Sequence, residues 1–174
     1  MKGEWCYFKQ FFTPEICNRI LDDAKHLPIE DAKIGVNGEL IQSSYRKSKI
    51  RFIQKTDSRF EWLFDSMWKM AIRANDEFFG FNITRITYIQ LAEYDASYLG
   101  EYKRHSDVFW MNGDPVYHRK LTAVVQLTDP STYEGSECPP PVSAPSRLNC
   151  CSCLSSLLKT PHTRASSRFC FATG

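Results

Sequence analysis

Apolar residues recur along this chain at two different spacings, and the spacing separates helical from strand-like stretches. After Thr13-Pro14-Glu15, the residues Ile16, Ile20, Leu21 and Ala24 return every three or four positions, which places them on one face of a helix. Thr13 suits the N-cap and Pro14 the first helical position, where a missing N–H loses nothing. Pro28 bounds that pattern. A second helical pattern runs over residues 60–75 through Trp62, Leu63, Met67, Met70 and Ala71. The Phe78-Phe79-Gly80-Phe81 segment closes it and reads as core. Alternation takes over at Ile86-Thr87-Tyr88-Ile89-Gln90-Leu91-Ala92-Glu93-Tyr94 and predicts a strand with one face buried. Residues 119–128 predict another strand, and residues 46–53 a third, its basic residues forming a solvated face. The aromatic residues 5–12 predict a short strand. Gly35 and Asn37-Gly38 mark a hairpin or loop, residues 95–100 a turn, and residues 109–118 a loop around Asn112-Gly113-Asp114-Pro115. Two helices followed by closely spaced strands argue for an α+β domain whose second half is a jelly roll or barrel.

Composition narrows this further. At 174 residues, 43% hydrophobic and 14% aromatic, the chain suits one folded domain with a single core. No apolar run would span a bilayer, and Met1-Lys2-Gly3-Glu4-Trp5 lacks the core of a signal peptide, so the expected compartment is cytoplasmic. The net charge of +2 hides an asymmetry: residues 1–137 carry about −2, and residues 138–174 carry +4 with no acid at all. That tail has no basic cluster and no aromatic interleaving, so neither nucleic acid nor membrane is an expected partner. Five of the seven cysteines also crowd the tail. An odd count without a secretory signal argues against a disulfide framework. Cys150-Cys151-x-Cys153 with His162 and Cys170 could hold zinc, although the paired spacing of structural sites is missing.

Candidate chemistry concentrates at Tyr102-Lys103-Arg104-His105-Ser106-Asp107. In a strand, residues two apart share a face, so His105 and Asp107 can present an imidazole nitrogen and a carboxylate oxygen to one metal ion. Two such ligands and a distant histidine make the facial set of non-haem iron oxygenases. His118, close to Asp107 and just ahead of a strand, reads as a loop histidine.

Around that pair, Gln90-x-x-x-Tyr94, Tyr102-x-x-His105-x-Asp107, Arg119-Lys120-Leu121-Thr122, Leu127-Thr128-Asp129-Pro130 and Tyr133-Glu134-Gly135 follow in order over about 45 residues. This series resembles the prolyl 4-hydroxylase-like branch of the Fe(II)/2-oxoglutarate dioxygenases, close to the PKHD-type hydroxylases. The Thr-Pro-Glu helix start, the Arg46-x-Ser48 strand and the Trp62 helix also resemble that group. The resemblance covers residues 5–137. It implies a double-stranded β-helix (jelly roll) with N-terminal flanking helices, incomplete at its C-terminal end. It further implies Fe(II) held by His105 and Asp107, with 2-oxoglutarate as co-substrate, O₂ as oxidant and ascorbate as an accompanying reductant. Tyr94 and Tyr102 would line the co-substrate pocket or bond its far carboxylate; core tyrosines with satisfied hydroxyls are the alternative. The implied reaction hydroxylates a peptidyl, prolyl-like or amino-acid side chain and releases succinate and CO₂.

The family pattern also requires a distal histidine on a late strand, and an Arg or Lys beyond it for the far carboxylate. His162 and Arg168 are the candidates. From Cys138-Pro139-Pro140-Pro141 onward the strand patterning stops, so residues 138–174 are expected to be an atypical Ser/Pro/Cys-rich tail, disordered rather than barrel-forming. The codons for Lys159 to Ala165, moved on by one base, permit Lys-His-Arg-Thr-Pro-Val, which resembles the family's distal-histidine segment. The tail therefore reads as shifted in frame. Two other functions stay open: a non-catalytic jelly-roll binding module with a degenerate iron site, and a globular domain with a zinc-binding tail.

Overall fold

In a computed structural model, residues 6–36, 39–41, 44–103, 119–133 and 166–173 are described. Helix α1, Pro14–Ala24, begins where the sequence predicts: Thr13 is extended and its Oγ1 accepts the Ile16 N–H at 3.4 Å. Its buried face carries Cys17, Ile20 and Ala24. Helix α2, Glu61–Ala74, buries Leu63, Phe64, Met67, Ala71 and Ala74, and a single π-helical turn at Asn75–Phe79 extends it. Asn75 closes this end: its Nδ2 donates to the Phe81 carbonyl at 2.9 Å, and its Oδ1 accepts the Phe81 N–H at 2.8 Å. Gly80 lies between them at φ 69°, in the left-handed region that only glycine enters without strain.

The strands are β1 (Glu30–Asp31), β2 (Ile34–Val36), β3 (Glu39–Ile41), β4 (Arg46–Lys47), β5 (Lys49–Ile53), β6 (Ile86–Tyr94), β7 (Glu101–Tyr102), β8 (Leu121–Gln126) and β9 (Ser166–Thr173). Five of them form an antiparallel sheet in the order β1-β5-β6-β9-β8; β2 pairs with β3, and β4 with β7. Of the two readings open for this stretch, hairpin or loop, the antiparallel pairing of β2 with β3 favours the hairpin, with Val36 opposite Glu39.

Alternation along β6 builds two apolar clusters on opposite sides of the sheet. Ile89 and Leu91 join Ile53 and the buried faces of α1 and α2, with Phe60, Leu63 and Met67 at the centre. Ala92 and Tyr94 join Ala32 and Ile50 in a smaller cluster, against which Tyr102 packs. The helices thus cover one face and leave the other to the short strands around β7.

Residues 6–12 form no strand; residues 9–12 are turn and bend, and Gln10 takes φ 52°. Their aromatic rings pack on a helix instead; Phe12 meets Trp62 edge-on at 6.3 Å. The predicted strand over residues 46–53 is broken at Ser48, which is buried, so that β4 and β5 join different sheets. Its basic residues are not simply solvated: the Arg51 side chain is only 13% exposed and ion-pairs with Glu93, two strand positions from the helix-facing core. Of the Phe78–Phe81 aromatics taken as core, Phe78 and Phe79 are half-buried and Phe81 is exposed.

The end of the tail also departs from expectation: residues 166–173 pair along β6 on one side and β8 on the other, although strand patterning was expected to stop from residue 138. Backbone hydrogen bonding between two partners needs little side-chain alternation, which is why the pattern concealed it.

Candidate functional site

The face of β6 turned away from the helices carries Gln90, Ala92 and Tyr94. Gln90 is buried, and a buried amide needs partners. Arg46 supplies one: its Nη2 donates to Gln90 Oε1 at 2.8 Å, and its Nε donates to Ser48 Oγ at 3.0 Å. The same guanidinium lies 4.6 Å from the centroid of the Tyr102 ring, the residue opposite Arg46 in the β4–β7 pair. Tyr45 meets Tyr102 edge-on at 6.5 Å. Arg46 therefore ties β4, β6 and β7 together across a sequence separation of 44 residues to Gln90 and 56 to Tyr102. The i,i+2 spacing of Arg46 and Ser48 was the only local signal of this arrangement.

The connection from β6 to β7 is tight. Asp95 Oδ1 accepts the Ser97 N–H at 2.8 Å and starts a short 3₁₀ turn, Ala96–Tyr98. Tyr98 Oη donates to the Glu93 carbonyl at 2.9 Å, pinning the turn to the end of β6. Burial is the main cause that pushes the Tyr98 phenol up to about 12, with Asp95 and Glu93 adding to it and backbone hydrogen bonds opposing it. The folded state therefore favours the neutral phenol. Stability from this group is complete below the ordinary tyrosine value near 10 and should fall as pH rises from about 10 to 12. Denaturation midpoints measured across that range should decline in the wild type and decline less in Tyr98→Phe.

Farther along the same face, Phe52 meets Tyr88 edge-on at 6.0 Å, and Arg119 donates to the Tyr88 hydroxyl. Arg119 opens the segment leading into β8, so two arginines meet neighbouring positions of β6, Arg119 at Tyr88 and Arg46 at Gln90.

Among the predicted site residues, Tyr94 and Tyr102 come together in the smaller cluster; Tyr94 is buried and Tyr102 half-buried. The backbone of Arg168 occupies a register position in β9 between Ala92 of β6 and Gln126 of β8. His105, Asp107 and His162 lie outside the described residues, as do His118 and the tail cysteines other than the Cys170 backbone. Among the described residues, no three His, Cys, Asp or Glu side chains are grouped to hold a metal ion. No described helix is long and apolar enough to cross a membrane. Cys6 and Cys17 are free thiols, both pushed up chiefly by burial.

The fold is similar to that of a prolyl-4-hydroxylase from Pseudomonas putida, with a TM-score of 0.56 and 14% sequence identity over 94% of this chain and 89% of that one. No family model matches the chain, and no curated protein matches it in sequence. The likeness is one of fold: an α+β chain with antiparallel sheets, consistent with a jelly roll.

Proposed function

We propose that this chain is an Fe(II)- and 2-oxoglutarate-dependent dioxygenase that hydroxylates a peptidyl, prolyl-like or amino-acid side chain. The observation that carries this reading is the passage from β6 through Tyr94 into β7 and Tyr102, ending three residues before His105-Ser106-Asp107, in a fold similar to a prolyl-4-hydroxylase. A neutral imidazole and an ionised carboxylate are the donors that suit ferrous iron with open positions. His105, Asp107 and His162 would hold the metal, while Tyr94, Tyr102 and Arg168 would hold 2-oxoglutarate. When bound, the iron supplies O₂ activation coupled to decarboxylation of 2-oxoglutarate to succinate, with ascorbate as accompanying reductant.

The chain's own contribution is position and dryness. Tyr94 and Ala92 seal the floor of the β6 face with buried apolar surface. Arg46 packs on Tyr102, at the start of the segment leading to His105, and is itself held by Gln90 of β6 and by Ser48 two residues along its own segment. Gly100 and the 3₁₀ turn set the distance between β6 and β7.

Anaerobic titration of the full chain with Fe(II) and 2-oxoglutarate tests the reading. A weak visible charge-transfer band is expected, and it should be lost in His105→Ala and in Asp107→Ala. A folded wild type without the band would overturn the enzyme and leave a jelly-roll binding module. The reading of the tail as frame-shifted is tested separately by sequencing the gene on both strands; an unshifted frame in independent clones would end it.

A further inference from the structure

The Arg46 guanidinium is charged and half-buried, and among the described residues only neutral groups hold it. Ser48 and Gln90 accept two of its N–H bonds, and Tyr102 offers its ring face. Its neighbours in sequence differ: Lys47 reaches Glu101 at 3.7 Å, Lys49 reaches Asp31 at 2.5 Å, and Arg51 pairs with Glu93. Among the described residues, no carboxylate stands within ion-pair distance of Arg46. A guanidinium has five N–H donors in a planar fork. Three of them remain after the two bonds to neutral acceptors, and those bonds hold the plane in place. A cation withdrawn from water in this way gains most from an oxyanion that meets the fork.

The structure provides room for one. Arg46 lines a depression of about 420 Å³, together with Lys47 and Lys49, the hydroxyl residues Ser44, Ser48 and Tyr98, and one acid, Asp31. That volume falls within the range of small-molecule sites. Asp31 is the one acid among the lining residues, against the three cations Arg46, Lys47 and Lys49. Its pair with Lys49 is exposed on both sides, so the pair contributes little and Lys49 can turn toward a ligand at small cost. Lys47 is held only at the long limit of an ion pair.

We propose that this depression binds an oxyanion, a carboxylate or a phosphate group, with the Arg46 fork as its receptor and Lys47 and Lys49 at the rim. Arg46, which lines the depression, also contacts Gln90 of β6 and Tyr102 of β7. An anion held there would anchor the charged end of a substrate beside the segment that leads to His105. That last step rests on the dioxygenase reading; the anion site itself does not.

The test uses the full chain, free of metal, titrated at constant ionic strength with inorganic phosphate and, separately, with N-acetylglutamate, followed by calorimetry. Saturable binding in the millimolar range is expected for at least one probe. A preference for phosphate would indicate a phosphorylated ligand, and a preference for N-acetylglutamate an acidic side chain. Affinity should fall about tenfold in Arg46→Gln, a loss of about 1.4 kcal/mol. Because Arg46→Gln disturbs two buried partners, Arg46→Lys and Lys47→Met serve as the second pair. Arg46→Lys keeps the charge but loses the planar fork, and each of the pair should weaken binding several-fold. Lys69→Met, on the α2 surface, should bind as the wild type does. Binding that survives in His105→Ala while the charge-transfer band is lost would separate this site from the iron site. Absence of saturation, or equal affinity in the wild type and Arg46→Lys, would overturn the proposal.

Discussion

Phe60→Ala should destabilise the fold by about 3–5 kcal/mol, the largest effect expected from any single substitution here. Phe60 is fully buried and stands immediately before α2, in the cluster that joins both helices to β5 and β6. Its carbonyl accepts the Leu63 and Phe64 N–H groups, so the backbone there is already committed to the helix start. Its side chain makes no capping hydrogen bond. Alanine therefore removes the ring without removing a cap, and the loss measures the cavity. The neighbouring side chains Leu63, Met67 and Ile20 belong to three turns of two helices and cannot all collapse into the space. Urea denaturation followed by circular dichroism should show the shift in midpoint with little change in slope. Phe81→Ala, at an exposed ring, should stay within about 0.5 kcal/mol of the wild type.

The second large effect lies in the turn between β6 and β7, where adjacent residues should respond with opposite signs. A Cβ added at Gly100 would stand 2.7 Å from the Asp95 nitrogen and 2.9 Å from the Tyr94 Cα. Both are backbone atoms that no rotamer change can move. Gly100→Ala should therefore cost about 1–3 kcal/mol, as overpacking does elsewhere in a folded interior. Leu99, one residue earlier, has φ 52° and is well exposed. A leucine in the left-handed region is strained, and Leu99→Gly should stabilise the chain by about 1 kcal/mol. Thermal midpoints of the two variants should move in opposite directions. Gly100→Ala also shifts β7 relative to β6, so its charge-transfer band with Fe(II) and 2-oxoglutarate should be weaker than that of Leu99→Gly. Equal bands in both would detach this turn from the iron site.

These effects belong to positions that the sequence marked unequally. Phe60 was legible as the edge of a helical pattern, but not as the most enclosed ring among the described residues. Nothing in its neighbours distinguishes it from Phe81. Gly100 was legible as part of a turn; the contact that requires glycine comes from the chain folding back on Tyr94, which is a tertiary fact. The candidate site divides in the same way. The order of Tyr94, Tyr102, His105 and Asp107 could be read directly, whereas the Arg46–Gln90 bond could not, since a hydrogen bond between residues 44 apart leaves no local period.

By itself the sequence determined α1 with its Thr13 cap, the bulk of α2 and the limits of β6, because each depends on interactions within a few residues. Only the tertiary structure decided that the basic run at residues 46–53 would split, sending Arg46 to Gln90 and Arg51 to Glu93. It also decided that Ser166–Thr173 would enter the sheet between β6 and β8. Helix spacing is written in side chains a turn apart. Strand pairing and ion pairing are settled by whichever partner the closed chain brings near.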